Sequence, residues 1–162
     1  MSDLIAANAA LHQAVHHQDW QKAQYLLQHK ANPNIPNPDG YYPLHICKNV
    51  RMTALLLECH ASVHARNKHG WTPLHRAVYD RQPAQVELLL KHKADPNAAD
   101  KDHQTPLHMA AMQQDPENVQ LLLQSRADPN LRNLFLHKTP LHNAARSGCF
   151  ESTKLLLQAF PQ

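Results

Sequence analysis

The sequence predicts an all-α fold, a solenoid of stacked helix-turn-helix units with projecting hairpin-like turns. Three markers that recur in step along the 162 residues predict it. The tetrapeptide Thr-Pro-Leu-His stands at Thr72–His75, Thr105–His108 and Thr139–His142, preceded by the variant Tyr42-Pro43-Leu44-His45 and a bare Leu11-His12. Its leucines, at 11, 44, 74, 107 and 141, are spaced by 33, 30, 33 and 34 residues. A leucine-rich triplet follows each, with shared leucines at 26, 56, 89, 122 and 156, lying 15, 12, 15, 15 and 15 residues downstream. Ala-Asn/Asp-Pro-Asn then closes the unit at Ala31–Asn34, Ala94–Asn97 and Ala127–Asn130, with Ala61-Ser62-Val63-His64 as a degenerate copy. A period of this length marks a repeat array, in which each unit buries its apolar side only against the next.

Five units result, at about 1–37, 38–67, 68–100, 101–133 and 134–162, and together they make a single domain. The first lacks the Thr-Pro start. Asp3 is the expected N-cap of its opening helix, and His16, His17 and Gln18 give it the polar character of a capping unit. The second opens at Tyr42-Pro43 and is three residues short between Leu44 and Leu56, so its first helix must be clipped or its inter-helix turn rebuilt. In the next three, Pro73, Pro106 and Pro140 suit a first helical turn, where the missing N–H is no loss. Thr72, Thr105 and Thr139 precede them as N-caps. Second helices start at Asp115-Pro116 and, in a weaker version, at Gln82-Pro83. Gly40 and Gly70 supply the positive φ of the projecting turns. The last such turn has an extra residue, nine from Asn130 to Thr139 against eight from Asn97 to Thr105. It also carries Leu134, Phe135 and Leu136, which either tuck against the neighbouring turn or stay exposed for a partner. The fifth unit stops at Phe160-Pro161-Gln162 with no capping repeat. Either Glu151, Ser152 and Gln158 make its outer face polar, or the chain is one part of something longer.

In combination these markers resemble the ankyrin repeat: Asp-x-x-Gly-x-Thr-Pro-Leu-His-x-Ala-Ala, a helix, then Leu-Leu-x-x-Gly-Ala-Asp-x-Asn. The resemblance covers nearly the whole chain. It implies a module that binds a partner protein, with no catalysis and no cofactor. The chain departs from the pattern at the glycine after the second helix, where it has Lys30, His60, Lys93 and Arg126. A left-handed non-glycine residue costs about 1–2 kcal/mol, and a cation at a helix C-terminus recovers about 0.3–1 kcal/mol. Positive φ at these four positions is therefore expected, at a small net loss in each unit.

Composition excludes several classes. Apolar residues make up 43%, and no apolar run approaches the roughly 20 residues of a membrane helix. The start, Met1-Ser2-Asp3-Leu4, has no basic and apolar secretory signal. Three cysteines without CxxC spacing argue for free thiols and a cytoplasmic setting, against a disulfide framework or a cysteine metal site. The formal charge of +3, with Lys91-His92-Lys93 as the densest basic cluster, falls short of a nucleic-acid-binding footprint. There is no HExxH, Gly-rich phosphate loop or GxSxG. The 14 histidines divide by position. His12, His45, His75, His108 and His142 occupy the place where the ankyrin ring bonds backbone and threonine between repeats; His29 and His92 lie at helix ends. His69, His103 and His137 sit on successive turn tips, about 10 Å apart, too far for one zinc with ligands at ~2 Å.

Recognition remains. In ankyrin proteins the turn tips and first helices line a concave groove whose variable positions choose the partner. Carried onto this chain, those positions are Tyr41, Lys68, His69, Trp71, Arg76, Tyr79, Asp80, Lys101, Asp102, His103, Met112, Phe135, His137 and Arg146, with Gln104, Gln113 and Lys138 alongside. Four of the chain's nine aromatic residues fall here, and aromatics with arginine make interface hot spots; Tyr41 and Trp71 can equally pack as scaffold along neighbouring turns. The charges predict a protein partner of mixed or modestly acidic character, bound by a monomer, with no nucleic acid or membrane involved. Asn97 and Asn130 resemble sites used by the ankyrin asparaginyl hydroxylase, although asparagine there also simply forms the turn. The Gln/His-rich, Lys-capped repeats are similar to those of bacterial ankyrin proteins, effectors in a host cytosol among them. An inhibitor of a kinase or other regulatory protein, or a fragment of a larger adaptor, is the alternative.

Overall fold

The periodic leucines and the proline helix starts place helices two to a unit, and the structure follows them. The computed structural model describes residues 2–134 and 136–159, and among these residues ten helices run in order with no strand. They are α1 (Ser2–His16), α2 (Trp20–Gln28), α3 (Pro43–Ile46), α4 (Val50–Glu58), α5 (Pro73–Tyr79), α6 (Pro83–Lys91), α7 (Pro106–Met112), α8 (Pro116–Gln124), α9 (Pro140–Ser147) and α10 (Phe150–Gln158). Odd-numbered helices pack in one row, α1 to α3 to α5 to α7 to α9, and even-numbered helices in a second row beside it. Between the rows lies one continuous core, in which Leu11, Leu44, Leu74 and Leu107 and then Leu56, Leu89, Leu122 and Leu156 are buried. Each contributes about 1.5–3 kcal/mol. Leu141, in the last unit, is only partly covered.

Threonine and histidine start the helices as a pair. Thr72 Oγ1 accepts from His75 N and Thr105 Oγ1 from His108 N, while the threonine N–H of each pair donates back to the histidine Nδ1 at 3.2 Å. The opposite ring nitrogen crosses to the next unit: His75 Nε2 bonds Gln104 O at 3.1 Å and His108 Nε2 bonds Lys138 O at 2.9 Å. His45 reaches Trp71 O in the same way, whereas His12 reaches Ile35 O at the close of its own unit. His142 keeps the threonine contact but is exposed. Asp115 caps α8, accepting from Asn118 N, whereas Gln82 makes no side-chain cap on α6. Asp3 is not a cap: α1 begins at Ser2 and takes Asp3 into its first turn, where a carboxylate still favours the helix dipole.

Every second helix followed by a hairpin ends in the same double bond. Ala31 N reaches Leu26 O while Lys30 N reaches Leu27 O, and the pattern recurs at Ala61/His60, Ala94/Lys93 and Ala127/Arg126. This closure requires a left-handed residue. Lys30, His60, Lys93 and Arg126 have φ of 72°, 63°, 67° and 66°, as their place in the repeat demands. The feature is wider than these four cations. First helices close likewise at Gln18, Arg81 and Gln114, with φ of 57°, 53° and 58°, and at Gly148 with φ 76°. At the tips, His103, Leu136 and His137 also have positive φ.

The short second unit loses its turn. α3 has four residues, and Cys47, at φ −69° and ψ 130°, leads out in extended form to Asn49, which caps α4. Gln85, buried in the third unit, fills the shortfall by donating Nε2 to Cys47 O at 3.0 Å. At the other end, the outer face is less polar than its sequence suggests. Glu151 and Gln158 are exposed, but Ser152 is fully buried beside Cys149, and Phe150 and Leu157 are exposed instead.

Two glycines separate backbone demand from space. A Cβ on Gly70 would lie 2.9 Å from the backbone N of Lys101, whereas one on Gly148 meets nothing within 4 Å. Gly148→Ala is expected to cost about 1 kcal/mol for its left-handed φ alone. Gly70→Ala adds a backbone clash and should cost at least about 2 kcal/mol. Urea unfolding of the two variants checks the order.

Candidate functional site: the hairpin and first-helix groove

One residue per unit builds each projecting hairpin. Asn67 N donates to Trp71 O, while Asn67 Oδ1 accepts from His69 N and Trp71 N. Asn37 and Asn133 organise their turns in the same way, accepting from Tyr41 N and Lys138 N. In the hairpin joining the third and fourth units the organiser is Asp100, whose Oδ1 accepts from Asp102 N and Gln104 N. Neighbouring hairpins join through backbone: Lys101 N donates to His69 O and Leu134 N to Asp102 O. A continuous shelf results, set beside the row of odd-numbered helices.

Trp71 leans along this shelf. Its Nε1 donates to Asp100 Oδ2 at 3.1 Å, so the Asp100 carboxylate receives three donors although it is buried. The indole lies 5.2 Å from the Tyr79 ring at 50°. A groove of about 490 Å³ opens there, with Trp71, Tyr79, Met109 and Met112 as its apolar part and Tyr41, His69, Lys101, Asp102 and Gln104 around it. Tyr79 and Met112 are about half exposed. Beyond Met112 a second depression of about 340 Å³ continues to Asn143, Arg146 and Ser147.

The groove thus gathers Tyr41, His69, Trp71, Tyr79, Lys101, Asp102 and Met112 from the expected binding residues. Arg76 and Asp80 pair with each other at 2.7 Å, the guanidinium 5.8 Å from the Tyr79 ring. Lys68 lies outside the groove and donates Nζ to Pro38 O in the preceding turn. His103 and His137 are exposed on separate tips, and Arg146 belongs to the adjoining depression. Leu134 and Leu136 are 52% and 79% exposed, so the apolar tip is open at both; Phe135 lies outside the described residues. Asn97 is engaged between units, accepting from Asp128 N and donating to Arg126 O, whereas Asn130 is exposed. Composition offered no pointer to Asp100 or Met109. The signal for Asp100 was positional: Asn37, Asn67, Asp100 and Asn133 form a fourth marker in register. A separate hollow between α2 and α4 holds the Arg51 guanidinium 3.7 Å over the Trp20 ring.

Burial governs the buried imidazoles. It lowers the pKa of His12, His75 and His108, and pushes His45 down to about 4, with the nearby His75 and Arg76 adding to the effect. These rings are neutral at pH 7, each donating Nε2–H to a backbone carbonyl, which for His45, His75 and His108 belongs to the next unit.

The family model for ankyrin repeats matches three times, at residues 11–100, 47–133 and 86–161. The chain belongs to the ankyrin repeat family. Among its relatives, a protein of Rickettsia bellii (strain RML369-C) named for its ankyrin repeats is 33% identical over 87 residues, 48% of this chain and 25% of that protein. A Rickettsia felis (strain ATCC VR-1525 / URRWXCal2) protein, also named for its ankyrin repeats, is 39% identical over 59 residues, 32% of this chain and 26% of that protein. The matched segments therefore span about a quarter of each relative's length. Ankyrin repeats generally serve as protein-interaction modules and are typically non-catalytic. No helix among the described residues of this ankyrin protein is long and apolar enough to cross a membrane.

Within the groove, Asp100→Ala is expected to cost about 2 kcal/mol. It strips two backbone N–H groups and the Trp71 indole of their shared acceptor. Denaturation read by tryptophan fluorescence measures the loss of stability and reports the release of Trp71.

Proposed function

We propose that this chain binds a partner protein, without catalysis, through the groove between its hairpins and first helices. The observation that carries the reading is the half-exposed apolar cluster in which Trp71, bonded to Asp100 on the hairpin shelf, meets Tyr79 of α5 and Met112 of α7. Aromatic anchors fixed before binding lose little entropy on association. The similarity to two Rickettsia proteins supports a bacterial setting, in which the chain acts as a cytoplasmic monomer or as an effector in a host cytosol.

Affinity capture from cell extract tests the reading. The native chain is compared with a Trp71→Ala, Tyr79→Ala double variant and with Phe150→Ala, which alters an exposed apolar residue on the second-helix row. Partners depleted at least tenfold by the double variant, with circular dichroism unchanged, and retained by Phe150→Ala support the groove. Equal capture by all three proteins rejects it.

A further inference from the structure

Charge is distributed unevenly between the two sides of the solenoid. The four hairpins (residues 35–42, 65–72, 98–105 and 131–139) and the first helices they lead into, α3, α5, α7 and α9 with their C-cap residues, carry seven lysines and arginines against Asp39, Asp80, Asp100 and Asp102. The rest of the chain carries nine of each sign, so the whole formal excess of +3 lies on the groove side. Two of the four carboxylates there are already engaged. Asp80 pairs with Arg76, and Asp100 takes three hydrogen bonds from the shelf itself. Of the cations, Arg76 is taken by Asp80, and Arg66, Lys68 and Arg132 donate to backbone carbonyls of the hairpins. Among the described residues, Lys101, Lys138 and Arg146 make neither an ion pair nor a side-chain hydrogen bond, and only Asp39 and Asp102 stand among them as unengaged carboxylates. Lys101 edges the apolar groove, Arg146 closes the depression beyond Met112, and Lys138 occupies in the last hairpin the place of Trp71 and Gln104.

From this we infer that the groove's occupant is an acidic peptide segment of a partner protein. It presents a large apolar side chain to Trp71, Tyr79 and Met112, flanked by carboxylates that meet Lys101, Lys138 and Arg146. The inference rests on the protein-binding reading and adds its chemistry. An apolar slot edged by Lys101, with Arg146 and Lys138 beyond it, selects in two steps: the charges raise the encounter rate and exclude basic segments, and burial of the anchor holds the complex. Nucleic acid fits less well, because the cations are scattered along the shelf and the slot between them is apolar.

Selection from a random 12-residue peptide display library on the immobilised full chain is the test. Enriched peptides are expected to carry net negative charge and at least one large apolar residue. Binding of the enriched pool, followed by fluorescence anisotropy, should weaken at least tenfold in Tyr79→Ala, Met112→Ala. In Lys101→Glu, Lys138→Glu the selected charge should reverse; Lys101 is exposed and Lys138 half-buried without a side-chain bond, and circular dichroism checks that this variant keeps the fold. Raising the salt from about 50 to about 300 mM should weaken binding several-fold. Enrichment of neutral or basic peptides, no enrichment above blank beads, or displacement of the pool by a random single-stranded 20-mer DNA at a lower concentration than by unlabelled pool overturns the inference. If groove-dependent capture from extract succeeds while the selected peptides are not acidic, the assigned chemistry falls and the binding function stands. If groove-dependent capture also fails, both fall.

Discussion

Acidification from about pH 7.5 to about pH 4.5 is expected to lower the thermal unfolding midpoint by roughly 10 °C. The cause is the ladder of buried imidazoles. In each neutral ring Nε2–H is committed to a backbone carbonyl, so a second proton must go to Nδ1. In His75 and His108 that nitrogen already faces a threonine N–H, and charging it sets donor against donor. In His12 and His45 it is buried without a partner. Unfolded rings titrate near pH 6.5, and burial lowers the folded values, to about 4 for His45. Between those limits the unfolded chain binds more protons. The stabilisation is therefore complete above about pH 6.5 and is lost as the pH falls toward the folded value. The His45 shift alone corresponds to about 3 kcal/mol. Calorimetry across the range checks this, and His45→Gln, which keeps a donor for Trp71 O, should flatten the profile. An unchanged midpoint at the two ends of the range would mean that the rings tolerate charge in place.

Replacing Gln18, Lys30, Lys93 and Gln114 together by glycine is expected to raise stability by roughly 3 kcal/mol, or about 6–10 °C in midpoint. All four have φ between 57° and 72° and close a helix in the left-handed conformation. Each non-glycine residue there costs about 1–2 kcal/mol. Glycine returns part of that, about 0.5–1 kcal/mol, through the greater freedom of the unfolded chain. Lysine's favourable contact with the helix C-terminus is also lost, which makes the two glutamine sites the larger contributors. The sites belong to separate turns, so their effects should add. Single and quadruple variants compared by urea unfolding measure both the size and the additivity. A quadruple variant no more stable than the parent would mean that the side chains hold these turns by contacts that offset their strain.

Much of this is legible in the sequence, for physical reasons that differ by residue. Leucines 56, 89 and 122 announce themselves because burial selects one residue type at a fixed period. Thr105 and His108 are legible because a cap needs a short acceptor at one position and a ring at another. Lys93 and Arg126 are legible because the repeat sets their φ whatever residue stands there. Gln18, Arg81 and Gln114 meet the same demand at the other helix end, but with no recurring residue type there was nothing to read. Asp3 misled for a related reason: an acidic residue suits both the cap and the first turn, and only the helix's starting point distinguishes them. Ser152 misled because a hydroxyl that can bond within its own helix end is as comfortable inside as outside. The groove's apolar surface was largely anticipated at Trp71, Tyr79 and Met112. Its floor was not, because the bond between Trp71 and Asp100 spans 29 residues and depends on how far one hairpin lies from the next.

The reach of Gln85 to the Cys47 carbonyl makes the array less interchangeable than its period implies. Repeat proteins lengthen and shorten by gaining or losing whole units, which works when every junction is equivalent. Here the second unit is completed by a side chain of the third. A copy of the second unit placed before any other unit would leave that carbonyl without its donor, since Asn118 and Ser152 hold the corresponding place in the later units. The two units should therefore be transplanted as one block.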